Sequence, residues 1–194
     1  MIKIPRATAL FACVVALAAC QHAPTQPVDH APAAISSQRP SGLYAAGVAA
    51  ASPLAVEAGV AVLKAGGSAV DAAVAVQATL GLVEPQSSGL GGGAFLLHYD
   101  VATGKVTAYD GRETAPAGAT PDMFLDADGN PLPYADAVTS GRSTGAPGVM
   151  AMLGLAHERY GVLPWSTLFE TATEAADEGF VVPKRLARFA NSPF

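Results

Sequence analysis

Residues 84–100, EPQSSGLGGGAFLLHYD, decide the fold: either the glycines at 89 and 91–93 open a nucleotide-binding helix, or they close one helix and admit a strand. Gly89, Gly91 and Ala94 satisfy the degenerate form of the dinucleotide fingerprint. That fingerprint needs strand, glycine turn and helix in this order, so that a helix N-terminus meets the pyrophosphate. Here the order is reversed. An apolar, helix-like stretch precedes the glycines, and AFLLHY, with its aromatic and large aliphatic side chains, reads as a strand after them. The context excludes a nucleotide and predicts helix, glycine loop, strand.

Upstream, GLYAAGVAAA (42–51) is expected to be a strand, although its alanines favour no pairing strongly. Ser52-Pro53 then supplies a helix cap and a proline at the first helical position, where its missing N–H costs nothing. That helix should run to about Ala65 and stop at Gly66-Gly67. Ser68 with Asp71 three residues on forms a capping box opening a second helix, AVDAAVAVQATLGLV. It carries no charge beyond its first turn and is therefore expected to be buried on most sides.

Downstream, a turn near Ala102–Gly104 should fold KVTAYDG back against the first strand. Residues 117–147 read as loop-rich. LDADGNPLP within them imitates the start of a calcium loop, but its glycine stands fourth instead of sixth and no glutamate closes the set, so it reads as a turn. GVMAMLGLAHERYG (148–161) has a one-sided apolar pattern ending at Gly161, and LPWSTLFETATEAADEGF continues with a similar face. His157 is expected on the surface or flank of its helix.

The start of the chain belongs to a different regime. Lys3 and Arg6 precede the apolar run 7–19, too short to span a bilayer, and LAAC (17–20) has the spacing of a bacterial lipoprotein processing site. Residues 1–19 are read as an export signal, Cys20 as the lipidated residue, and the proline-rich 20–41 as a flexible tether to a body at 42–194. His22 and His30 are tether residues. Loss of 1–19 would leave 9 basic against 16 acidic residues, a formal charge of −7. With sparse aromatics and no basic stripe, nucleic-acid binding is excluded. The expected location is the periplasmic side of a bacterial membrane, held by lipid.

No GxSxG elbow, metal-spaced cluster or free thiol offers a nucleophile, so neither metal nor cofactor is expected. Arg112, in DGRETAP (110–116), stands out in a chain with 14% charged residues. A guanidinium at a strand end can offer a two-pronged donor to a carboxylate. Equally, it can form a structural pair with Glu113, Asp110 or Asp100.

Three ordered segments are similar to signatures of one family. They are SPLAVEAGVAVLKAGGSAVDAAVAVQATLGLVEPQSSGLGGGAFLLHY, DGRETAP and STGAPGVMAMLGLAHERYGVLPWSTLFETATEAADEGF, and the likeness to the gamma-glutamyltranspeptidases covers residues 43–183. The resemblance implies an α/β fold, an incomplete αββα sandwich of the N-terminal-nucleophile hydrolase type. It implies a self-cleaving proenzyme whose nucleophile is the threonine that begins the small subunit. It also gives Arg112 the α-carboxylate of the γ-glutamyl group. The implied partners are glutathione or another γ-glutamyl compound, an amino acid, peptide or water as acceptor, the rest of the large subunit and the small subunit. Ser52 stands where such proteins often carry histidine. The 194 residues alone are expected to be inactive. The alternatives are a related acylase acting on another amide donor and a non-catalytic, lipid-anchored remnant.

Overall fold

The computed structural model describes residues 46–87 and 89–192. The expected signal, Cys20 and the tether lie outside these residues. Helix α1 spans Pro53–Lys64 and α2 spans Ala69–Val83. Strands β1, Ala94–Asp100, and β2, Lys105–Gly111, follow. Short α3 covers Tyr134–Thr139, then α4 runs Val149–Tyr160. A 3₁₀ turn at Trp165–Phe169 leads into α5, Glu170–Glu178, and α6, Lys184–Ala190, ends the described chain.

The connection between α1 and α2 follows from two glycines. Gly66 adopts φ +90°, a conformation that side chains resist. This lets Gly66 N–H donate to Leu63 O and Gly67 N–H to Val62 O, the paired bonds of a Schellman stop. Ser52 holds the cap position of α1 with Pro53 inside, but its hydroxyl makes no capping bond. The helix start therefore relies on proline geometry, correcting the expectation of a serine cap. Of the strand expected at 42–51, residues 42–45 lie outside the described residues and 46–50 carry no strand, with no described strand beside them to accept a ladder.

Helix α2 is the centre of the core. It buries Val70, Ala72, Val74, Ala75, Ala78 and Val83, and the Thr79 hydroxyl is satisfied by Ala75 O at 2.9 Å. Val149, Met152, Leu153 and Ala156 of α4 and Leu168 of the 3₁₀ turn close over it. The small side chains of α2 allow this approach from several directions.

The expected hairpin forms and pairs antiparallel, Ala94 opposite Gly111 and Asp100 opposite Lys105. Asp100 stabilises the turn by accepting from Ala102 N–H and Thr103 Oγ1, both at 2.9 Å. One sheet face lies against the helices, with Leu96 and Tyr109 packed on the core. His98 on that face stacks on Tyr160, centroids 3.8 Å apart, while Thr107 meets the Tyr160 hydroxyl at 3.3 Å. The opposite face exposes Phe95, Leu97, Tyr99 and Val106 together. This is one helical layer on one sheet layer, with an uncovered apolar face that a second sheet would fill.

Asp71 does more than close the capping box with Ser68, whose two bonds measure 2.8 and 3.1 Å. Its buried Oδ2 also accepts from Val162 N–H at 3.0 Å and Leu163 N–H at 3.2 Å. Nearby His157 donates from Nε2 to Leu163 O at 2.9 Å and lies 3.4 Å from Asp71 Oδ1. His157 thus lies half-buried on the flank of its helix, edge-on against Trp165, where it ties α4 to the segment that follows. Burial pushes the Asp71 carboxyl up, but the backbone donors of Ser68, Val162 and Leu163 and the Ser68 hydroxyl outweigh it and hold the group below its ordinary 3.8.

A lowered folded-state value means that this carboxylate stabilises the fold above the unfolded pKa and that its contribution disappears as pH falls through the folded one. Asp71→Asn should therefore cost about 2 kcal/mol at pH 7, and its deficit relative to wild type should shrink on acidification. Denaturant melts of the intact protein from pH 7 to pH 2 check this; a deficit constant with pH contradicts it.

Candidate functional site

Arg112 follows the last residue of β2, and three crossing segments locate it. Gly111 is buried against α4, where an added Cβ would meet Met152 Cβ at 2.6 Å. Gly148, just before α4, lies so close that its Cβ would stand 2.5 Å from Gly111 O and 2.7 Å from Arg112 O. From the other side, Gly92 O accepts the N–H groups of Gly148 and Val149, each at 3.2 Å. A loop carbonyl thereby satisfies the start of α4, which has no side-chain cap. Thr114 and Ala146 exchange backbone bonds at 3.2 and 2.8 Å, so the chain beyond Arg112 is zipped to the approach to α4.

The glycine-rich loop serves Glu113. A Cβ on Gly93 would stand 2.5 Å from Glu113 Oε2 and 2.8 Å from its backbone N, so only glycine admits this carboxylate. Glu113 Oε2 lies 3.3 Å from Arg112 Nη1. Of the three acids suggested by sequence, Glu113 is the side-chain partner. Asp110 instead accepts the Arg112 backbone N–H at 3.0 Å, and Asp100 is engaged at the hairpin turn. The pair is not sealed: side-chain exposures are 58% for Arg112 and 32% for Glu113. An ion pair this exposed contributes little to stability. It leaves the guanidinium's N–H groups accessible to a ligand.

Arg112 opens onto a cleft of about 540 Å³ whose walls include Gly91, Glu113, Phe124, Arg142 and Thr144. The size falls within the roughly 300–1,000 Å³ of small-molecule sites. Arg142 was not singled out by sequence; like Arg112 it is an arginine in a chain with 14% charged residues, but it has no acidic neighbour along the chain to draw attention to it. Its Nη1 donates to Met123 O at 3.1 Å, tying the 140–145 loop to the 120–125 loop. LDADGNPLP is a turn, with Asp126 accepting from Asp128 N–H and Asn130 N–H, both at 2.9 Å. Among the described residues no group of three acidic, His or Cys side chains is arranged to hold a metal. A second cleft, about 710 Å³, lies between the start of α1 and residues 179–184 and holds none of the predicted site residues.

Residues 55–193 match the family model for Gamma-glutamyltranspeptidase. The chain is 46% identical over 140 residues to the glutathione hydrolase proenzyme of Bacillus subtilis strain 168, covering 72% of this chain and 24% of that protein. It superposes on the gamma-glutamyltranspeptidase of Helicobacter pylori with a TM-score of 0.70 at 36% identity, over 76% of this chain and 42% of the other. It is also similar to a cephalosporin acylase from Bacillus halodurans, at 31% identity and a TM-score of 0.60 over 71% and 25% of the two chains. The chain spans about a quarter of the length of the curated relatives it matches. Its α/β layers form an incomplete αββα sandwich of the N-terminal-nucleophile hydrolase type.

The crossing predicts a contrast between glycines. Gly148→Ala forces backbone apart and should cost at least about 1–3 kcal/mol, whereas Gly89→Ala, with nothing within 4 Å of its added carbon, should be near neutral. Thermal denaturation of both variants tests the assignment, and equal melting temperatures would refute it.

Proposed function

This chain belongs to the gamma-glutamyltranspeptidase family, and from that premise we propose that the intact protein cleaves γ-glutamyl amide bonds of glutathione and related donors, transferring the acyl group to an amino acid or peptide or to water. The observation that carries the reading is Arg112: an accessible guanidinium, held at a strand end by backbone crossings, facing a ligand-sized cleft. It supplies a planar donor pair for the α-carboxylate of the γ-glutamyl group. Glu113, 3.3 Å away, is the neighbouring carboxylate that a substrate carboxylate would join at the guanidinium.

The attacking group in this reading is the hydroxyl of a small-subunit threonine, supplied by polypeptide other than these 194 residues. The hydroxyl adds to the γ-carbonyl carbon, the C–N bond breaks, and the departing amine takes a proton. Water or an acceptor amine then releases the acyl group. Arg112 acts by positioning, since gripping one end of the donor places its γ-carbonyl within reach of the nucleophile. The uncovered face of Phe95, Leu97 and Tyr99 is the surface on which the second sheet of the sandwich would pack. The similarity to a cephalosporin acylase supports a second reading, hydrolysis of another amide donor on the same framework.

The proposed location is the periplasmic side of a bacterial membrane, with Cys20 carrying lipid; the LAAC spacing supports it. Among the described residues no helix is long and apolar enough to cross a membrane. Cys20→Ser should move the protein from the membrane to the soluble fraction, and an unlipidated mature N-terminus by mass spectrometry would exclude the anchor.

Arg112→Ala should lower kcat/KM for a γ-glutamyl donor by roughly 30-fold or more, the equivalent of about 2 kcal/mol, while self-cleavage proceeds. Unaltered kinetics would overturn the role given to Arg112. Turnover of a cephalosporin side-chain amide without any turnover of γ-glutamyl donors would favour the acylase reading.

A further inference from the structure

Arg112 is not the only cation in its cleft. Arg142 lies on the same wall set, is exposed, and has no carboxylate within ion-pair distance among the described residues. Glu113 is the single acidic residue lining the cleft, and it is already beside Arg112. The cleft therefore holds one unmatched positive charge in a chain whose formal charge is −5. Arg142 is tied to the neighbouring loop by its Nη1 contact to Met123 O at 3.1 Å, which anchors one nitrogen of the guanidinium. That contact uses one of five N–H donors and, being to a neutral carbonyl, leaves the charge uncompensated.

We propose that Arg142 is a second anion-binding arm of the Arg112 cleft and that it receives the carboxylate at the far end of the donor, the terminus of the peptide that leaves. The inference rests on the γ-glutamyl reading above and deepens it: the preferred donors are γ-glutamyl peptides ending in a free carboxylate. Two arginines on one cleft suit a ligand with carboxylates at both ends. A cleft of about 540 Å³ also has the volume of a site for a small molecule larger than a glutamyl head. Arg142 touches only the leaving portion of the substrate, so it acts on donor selection and contributes nothing to bond breaking.

The test compares three donors with the intact, self-processed protein: glutathione, the same tripeptide with its terminal carboxylate converted to an amide, and γ-glutamyl-p-nitroanilide, which has no distal carboxylate. Wild type should use glutathione with a KM roughly tenfold below that of the amide, as expected for one charge-assisted contact. Arg142→Gln should raise the glutathione KM about tenfold, erase its advantage over the amide, and leave the p-nitroanilide parameters within about twofold. Arg142→Lys should restore part of the advantage. Equal losses on all three donors would make Arg142 a loop tie and overturn the proposal, as would unchanged constants on all three. Wild-type protein inert toward every γ-glutamyl donor would overturn the underlying reading and this inference with it.

Discussion

Backbone-to-backbone contact at the crossing of three segments is the constraint on which this site depends. Gly93, Gly111 and Gly148 come together where an added Cβ would stand 2.5, 2.6 and 2.5 Å from its nearest atom, closer than a side chain tolerates without a shift of the segments. The crossing carries strand β2 into α4 and uses a loop carbonyl to satisfy the start of that helix. Because main chain is packed on main chain, the Cα of Arg112 has little freedom, and a long side chain becomes a usable recognition group. The same closeness brings Glu113 onto the glycine loop and so to the guanidinium.

A second junction, made of polar groups, supports the first from the far side of the core. Asp71 collects backbone donors from its own helix and from the segment after α4, and His157 closes the arrangement on Leu163 O. Charge buried this way is stabilised by several directed N–H groups instead of one counter-ion. Its effect is directional: it sets where α4 ends relative to where α2 begins, while the glycine crossing sets where α4 starts relative to β2. Helix α4 is thus positioned at both ends, and the cleft beside its beginning inherits that rigidity.

Much of the secondary structure was legible because its determinants are local. The Schellman glycines after α1, the Ser68–Asp71 box and the aromatic and aliphatic run AFLLHYD after its glycines all act within a few residues of where they are written. Expectations failed where a distant partner decides. Ser52 has the right identity for a cap but its hydroxyl is not used. Residues 46–50, alanine-rich, have no strand beside them, and the expectation for the last section did not extend to α6, whose Arg185 reaches Glu84 across the fold at 3.4 Å.

The sequence by itself determined the run of two helices, glycine loop, hairpin and later helix, and the ordered motifs that resemble one family. It also singled out Arg112 as an arginine with carboxylate chemistry, because charge in so apolar a chain is conspicuous. Only the tertiary structure chose Glu113 over Asp110 and Asp100 as its neighbour, placed Arg142 on the same cleft thirty positions downstream, and brought His157 to Asp71. The physical reason is the range of the interactions. Caps, turns and strand alternation are settled by neighbours along the chain, whereas ion pairs and clefts depend on which segments come within a few ångströms after folding.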